Sequence, residues 1–128
     1  MPIRLLIVDD NQPFLETARV LLEREGLTVA GVATTSSEAL RQAETLRPDV
    51  MLVDILLGEE SGLDLARRIV RDGLSTEATV ILISTLAEDD VADLVDESPA
   101  VGFLPKRELS AAAIRRFVDG GTNERRGR

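Results

Sequence analysis

Short apolar runs that end on polar residues set the limits on how this chain can fold. Ile3-Arg4-Leu5-Leu6-Ile7-Val8 stops at Asp9-Asp10, Val50-Met51-Leu52-Val53 stops at Asp54, and Val80-Ile81-Leu82-Ile83 stops at Ser84-Thr85. A fourth run, Val101-Gly102-Phe103-Leu104, leads through Pro105 to Lys106. Runs this short and rich in β-branched residues predict strands, and their lack of polar alternation predicts burial on both faces, as in a parallel sheet. Segments of helical periodicity separate them, the pattern of βαβ units. Ligands of such sheets bind outside the carboxyl ends of the strands. Three acids, a hydroxyl and an ammonium would then meet at one edge. Asp49 opens its strand and belongs to the opposite edge.

The expected strands cover residues 3–8, 28–33, 49–53, 79–83 and 101–104, the second being the least hydrophobic and so an edge. A first helix follows the N-cap Asn11, carries Phe14, Ala18, Leu21 and Leu22 on one face, and ends at Gly26. A second starts from the capping box Thr35-x-x-Glu38, turns Ala39, Leu40, Ala43 and Leu46 inward, and is stopped by Pro48. The third follows Gly62, buries Leu65, Ala66 and Ile69, and ends near Gly73. A fourth, from Glu88 to Asp96, is short and acidic. The last runs from Ser110 to Asp119, with Ala113, Ile114, Phe117 and Val118 on one face and Gly120-Gly121 closing it. Right-handed crossovers turn this order into a three-layer, doubly wound α/β fold of five parallel strands.

The 128 residues make one domain, and an apolar content of 44% excludes a disordered chain. A net charge of -8 argues against direct nucleic-acid binding. The basic end, Arg125-Arg126-Gly127-Arg128, reads as a tail or the start of a linker. No apolar stretch is long enough to span a membrane and no leader pattern opens the chain, so the expected location is the cytoplasm. Without cysteine there is no thiolate metal site; without histidine there is no imidazole base, zinc ligand or phosphohistidine.

Like charges brought as close as Asp9, Asp10 and Asp54 repel, and a hard divalent cation resolves the conflict. Mg²⁺ commonly takes one or two carboxylates together with phosphate oxygens. An aspartate can itself accept a phosphoryl group as an acyl phosphate, while Lys106 and Ser84 supply a fixed charge and a hydroxyl donor to its oxygens. Taken singly, each residue reads as a turn former, an N-cap or a solvated lysine. Their joint placement favours a site.

The chain resembles the receiver domain of two-component response regulators over almost its whole length, from Ile3 to about Gly120. The acidic pair is Asp9-Asp10, the aspartate after the third strand is Asp54, and Gly62, Ser84 and Lys106 follow at the family's spacings, with Phe103 at its aromatic position. Within the last third, the segment Gly102 to Leu109 looks closest to receivers that precede helix-turn-helix output domains. The resemblance implies a flavodoxin-like (βα)5 sandwich with strand order 2-1-3-4-5. It implies phosphoryl transfer from a histidine kinase or phosphotransfer protein to Asp54. Asp10, Asp54 and the backbone carbonyl of Leu56 would hold Mg²⁺, with Asp9 acting through water. Ser84, Thr85, Phe103 and Lys106 would form the phosphoryl-binding and switching group, with Phe103 swinging inward. The fourth helix, fifth strand and fifth helix would be the output face, for a downstream protein, an output domain or a homodimer. Residues 1–120 would be the receiver domain and residues 121–128 a tail.

Several positions depart from that pattern. Gly58 stands where proline is frequent, which suggests a looser loop over residues 56–62. Arg107 replaces the proline that often follows the lysine, so the cis bond found there in relatives is not carried over. Thr85 is bulkier than the usual Ala or Gly. Leu56 and Leu86 cannot position a water, so self-dephosphorylation is expected to be slow. The acidic strip Glu88, Asp89, Asp90, Asp93, Asp96 and Glu97 and the basic Arg107, Arg115 and Arg116 are solvated faces or a complementary pair in a dimer. Two other readings compete: a receiver-like interaction module that is never phosphorylated, and an Mg²⁺-dependent phosphohydrolase. The hydrolase normally needs an acid two residues after its nucleophile, where this chain has Gln12 or Leu56.

Overall fold

A computed structural model describes residues 3–73, 78–86 and 88–126. Strands β1 (Arg4–Val8), β2 (Thr28–Ala33), β3 (Val50–Asp54), β4 (Thr79–Ser84) and β5 (Gly102–Pro105) form one parallel sheet in the order β2-β1-β3-β4-β5. Helices α1 (Gln12–Arg24), α2 (Ser36–Leu46), α3 (Gly62–Arg71), α4 (Glu88–Asp96) and α5 (Ala111–Arg126) connect and cover them. Strand order and layering are those expected from the sequence, and β2 is an edge. The other edge is β5, where Pro105 tolerates its missing N–H.

Side-chain alternation sorts the core into two layers. Leu6, Val8, Met51, Val53, Val80 and Leu82 pack with Ala39, Ala66, Ile69 and Val91 on the α2–α4 side. Leu5, Ile7, Val50, Leu52, Ile81 and Ile83 pack with Leu15, Leu22, Ala113 and Ile114 on the α1 and α5 side. This two-sided burial is why the strands read as unbroken apolar runs.

Local chemistry sets the helix ends. Asn11 Oδ1 accepts the Phe14 N–H at 3.1 Å and opens α1. Thr35 Oγ1 accepts the Glu38 N–H at 3.2 Å, but the Glu38 carboxylate reaches back to the Thr34 N–H at 2.8 Å, one residue earlier than the usual box. Before Pro48, Arg47 ends α2 in the left-handed region at φ 48°, and the Arg4 guanidinium caps the Leu46 and Arg47 carbonyls at 2.8 and 3.2 Å. Ser61 caps α3 through the Asp64 N–H, a signal the sequence reading passed over.

One expectation is corrected. Gly120-Gly121 does not close α5, which continues to Arg126. A glycine stops a helix by adopting a left-handed conformation beyond its end; inside a helix it only costs about 1 kcal/mol relative to alanine. Gly127 and Arg128 of the basic tail lie outside the described residues, as does the side chain of Glu88 in the acidic strip.

Candidate functional site

The register of the ladder assembles the site. Val8 pairs with Val53, which sets the next residues, Asp9 and Asp54, side by side at the carboxyl edge. Asp54 and Ser84 are the last residues of β3 and β4, so both are held by the sheet rather than by a loop. Among the described residues only three polar side chains are buried, namely Asp9, Asp54 and Ser84. All three stand at this edge. Buried charged groups are rare unless paired, so their collection here marks a site.

Each of the three opens a turn. Asp9 Oδ1 accepts the Asn11 N–H at 2.9 Å, Asp54 Oδ1 the Leu56 N–H at 3.1 Å, and Ser84 Oγ the Leu86 N–H at 3.0 Å. These turns two residues wide lead the chain out of each strand. The second carboxylate oxygens of Asp9 and Asp54 remain directed at the site. Asp10 is exposed, and oxygens of Asp9, Asp10 and Asp54 lie within 4.8 Å of one another, a spacing that suits a metal ion.

Lys106, on a 3-10 turn after β5, closes the cluster. Its ammonium is 2.6 Å from Asp9 Oδ2 and 3.0 Å from Asp54 Oδ2, and lies 4.4 Å above the Phe14 ring. The contact with Asp9 is an ion pair without hydrogen-bond alignment, and Asp9 Oδ2 is otherwise unpartnered. Sequence reasoning set the lysine against the phosphoryl group on Asp54. It missed Asp9 as a second partner and placed Phe14 only in the core.

Burial raises the Asp54 carboxyl above the ordinary carboxylate range; the Leu56 N–H and Lys106 oppose this, and the Asp9 charge adds to the rise. Burial would lower the Lys106 ammonium, but its contacts with Asp9 and Asp54 outweigh that and hold it above the usual range. The Asp54 shift has a consequence for stability. Unfolded, the carboxyl titrates near 3.8. From there up to the raised folded value the native state binds more protons, so stability falls as pH rises, and the penalty is complete above that value. With divalent ions chelated, Asp54→Asn is therefore expected to melt above the wild type at pH 7, with the gap narrowing as pH falls through the raised folded value and closed below about pH 3.8. Thermal melts across pH check this; a gap that widens in acid would contradict it.

The remaining candidates fall around the cluster. Thr85 is exposed and borders a cavity of about 320 Å³ shared with Asn11, Phe14, Thr17 and Lys106. The Leu56 side chain is exposed and its backbone pairs with Ser61. Phe103 is only 6% exposed, packed on the α2–α4 side of the sheet. The Lys106–Arg107 peptide is trans. The loop after Asp54 is tied down despite Gly58. Leu56–Leu57 and Glu60–Ser61 form an antiparallel ladder, Leu57 is buried, and the Glu60 carboxylate accepts the Ser36 N–H at 2.9 Å. Gly58 sits at φ 60°, which suits the first residue of a tight hairpin turn and is closed to proline.

A family model described as the response regulator receiver domain matches residues 5–118. The chain belongs to that family. Receiver domains are in general non-enzymatic signalling modules with a phosphoacceptor role in two-component signalling. The response regulator GacA of Pseudomonas aeruginosa is 30% identical over 92% of this chain and 56% of its own. The receiver domain of a modulated diguanylate cyclase from Desulfovibrio desulfuricans superposes with a TM-score of 0.78 at 29% identity, covering 98% of each chain. A response regulator from Burkholderia pseudomallei, solved with a phosphorylated aspartic acid and a calcium ion, gives 0.77 at 25% identity over 95% of this chain and 72% of its own. The chain spans between 27% and 60% of the length of the curated relatives it matches. Among the described residues no helix is long and apolar enough to cross a membrane.

Proposed function

We propose that Asp54 is the phosphoacceptor and that this cytoplasmic receiver, residues 1–120 with a tail beyond, switches its surface when that residue is modified. The observation that carries the reading is the convergence of Asp9, Asp10 and Asp54 within 4.8 Å, with the Lys106 ammonium 2.6 and 3.0 Å from the first and last. The donor is a phosphohistidine on a partner histidine kinase or phosphotransfer protein, in keeping with a chain that has no histidine. An Asp54 carboxylate oxygen attacks phosphorus and the P–N bond breaks. Its electron pair goes to the imidazole nitrogen and an acyl phosphate forms. Each carboxylate oxygen accepts two interactions, so attack need not break the contacts with Leu56 or Lys106.

Three features support an Mg²⁺ site on Asp10, Asp54 and the Leu56 carbonyl, with Asp9 acting through water. They are the carboxylate spacing, the exposure of Asp10, and the poorly satisfied Asp9 Oδ2. When bound, the ion supplies charge neutralisation and orientation of the phosphoryl oxygens. Lys106 then pairs with the phosphoryl group and the Ser84 hydroxyl turns to it. Phe103 starts at 6% exposure, so its inward swing is a small one. The output face is α4, β5 and α5, for a downstream protein, an output domain or a second copy. Asp89, Asp90, Asp93, Asp96 and Glu97 are exposed on or just after α4, and Arg107, Arg115 and Arg116 are exposed on the turn after β5 and on α5.

Incubation with acetyl phosphate and Mg²⁺, read by intact mass, tests the proposal. The expected result is a gain of one phosphate that Asp54→Asn abolishes. No gain would favour an interaction module, and multiple turnover would favour a hydrolase. The modified protein should lose its phosphate slowly, because Leu56 and Leu86 are exposed apolar side chains with nothing to hold a water. Decay within seconds would count against that.

A further inference from the structure

The Lys106 ammonium is enclosed by two carboxylates and, 4.4 Å away, the face of Phe14. That ring is not placed by chance packing. Asp9 Oδ1 accepts the Asn11 N–H, Asn11 Oδ1 accepts the Phe14 N–H, the ring lies against the ammonium, and the ammonium returns to Asp9 Oδ2. The contacts form a closed circuit through the first turn of α1. A lysine stem has four rotatable carbons and its charge prefers water, so the two buried carboxylates alone leave the stem several arrangements. An aromatic face attracts a cation without competing for its hydrogens. The ring thus backs the ammonium while its three donors stay available to Asp9, Asp54 and an arriving phosphoryl group.

We infer that Phe14 is a positioning residue for phosphoryl transfer, holding the Lys106 ammonium on the Asp54 side of the cavity it shares with Thr85. The inference rests on the reading of Asp54 as phosphoacceptor. Opposing it is the plain view that Phe14 is a half-buried residue packed on the α1 and α5 core, where any apolar side chain of similar size would serve.

Lys106 is the only lysine in the chain, so protein labelled with ¹³C-lysine gives one lysine side-chain signal. In the wild type the Cε protons should be shifted upfield by the ring, and Phe14→Leu should return them to the free-lysine position. At saturating Mg²⁺ the Leu variant should be phosphorylated by acetyl phosphate about fivefold more slowly, an effect of the size one cation–π contact carries. Its affinity for Mg²⁺ should stay within about twofold, since Phe14 is not one of the proposed ligands. Phe14→Tyr, which keeps the aromatic face, should restore both signal and rate. A wild-type lysine signal at the free position, a Leu variant at full rate, or a Tyr variant as slow as Leu would overturn the inference. If the wild type accepts no phosphate, the phosphoacceptor reading fails, while the lysine signal still judges the ring contact by itself.

Discussion

Gly62→Ala is expected to cost about 3 kcal/mol or more of stability and to slow phosphorylation at Asp54 by about a hundredfold. A Cβ at this position would overlap the carbonyl oxygen of Asp54 and lie 2.8 Å from its carbonyl carbon and 3.1 Å from the Ile55 Cα. All three obstacles are backbone, which cannot rotate aside as a side chain can. Gly62 is not in the left-handed region, so conformational strain is not the issue, and in open space alanine would even help by restricting the unfolded chain. Space decides the sign. The Gly62 N–H also donates to the Ile55 carbonyl at 2.8 Å, stitching the start of α3 to the strand that ends in Asp54. Pushing α3 away therefore drags the peptide of the proposed nucleophile. Urea denaturation and the acetyl phosphate rate check the two halves, and a variant that melts like the wild type would mean the contact relaxes freely.

That contact explains why a glycine eight residues after Asp54 could be recognised in the sequence without its cause being visible. The fold was legible because its signals are local and periodic. Apolar runs mark strands buried on both faces, and Asn11 and Thr35 mark helix starts. The site was legible because Asp9, Asp54 and Ser84 each sit where a strand ends, and the parallel register brings those ends together. The turn-former reading and the proposed site role do not exclude each other. One oxygen of each aspartate makes the turn, and that fixes the aim of the other. What escaped the sequence were contacts between positions far apart in the chain. Glu60 reaching the Ser36 N–H holds the loop that Gly58 was expected to loosen, and Phe14 meets Lys106 across 92 positions (106 − 14). The run of α5 through Gly120-Gly121 escaped for another reason, because glycine as a helix stop depends on a backbone conformation that composition does not specify.

Lys106→Met is expected to lower stability by about 3 kcal/mol when divalent ions are chelated, and to make the protein unusually responsive to Mg²⁺. Removing one partner of a buried ion pair leaves the other charge uncompensated, typically at about 3–5 kcal/mol. Here Asp9 is fully buried, Asp54 nearly so and the lysine side chain 12% exposed, so the low end applies. Methionine keeps most of the stem's packing and removes only the charge. The wild-type ammonium also competes with a metal for the same carboxylate oxygens, so its loss should tighten Mg²⁺ binding. An ion at a hundred times its dissociation constant stabilises the native state by about 2.7 kcal/mol, enough to offset most of the loss. The expected signature is a larger Mg²⁺-induced rise in Tm for Lys106→Met than for wild type, vanishing in Lys106→Met/Asp54→Asn. Equal rises in Lys106→Met and wild type would mean that ammonium and metal do not share the carboxylates. The measurement uses no phosphodonor, so it probes the electrostatic design of the cluster separately from its chemistry.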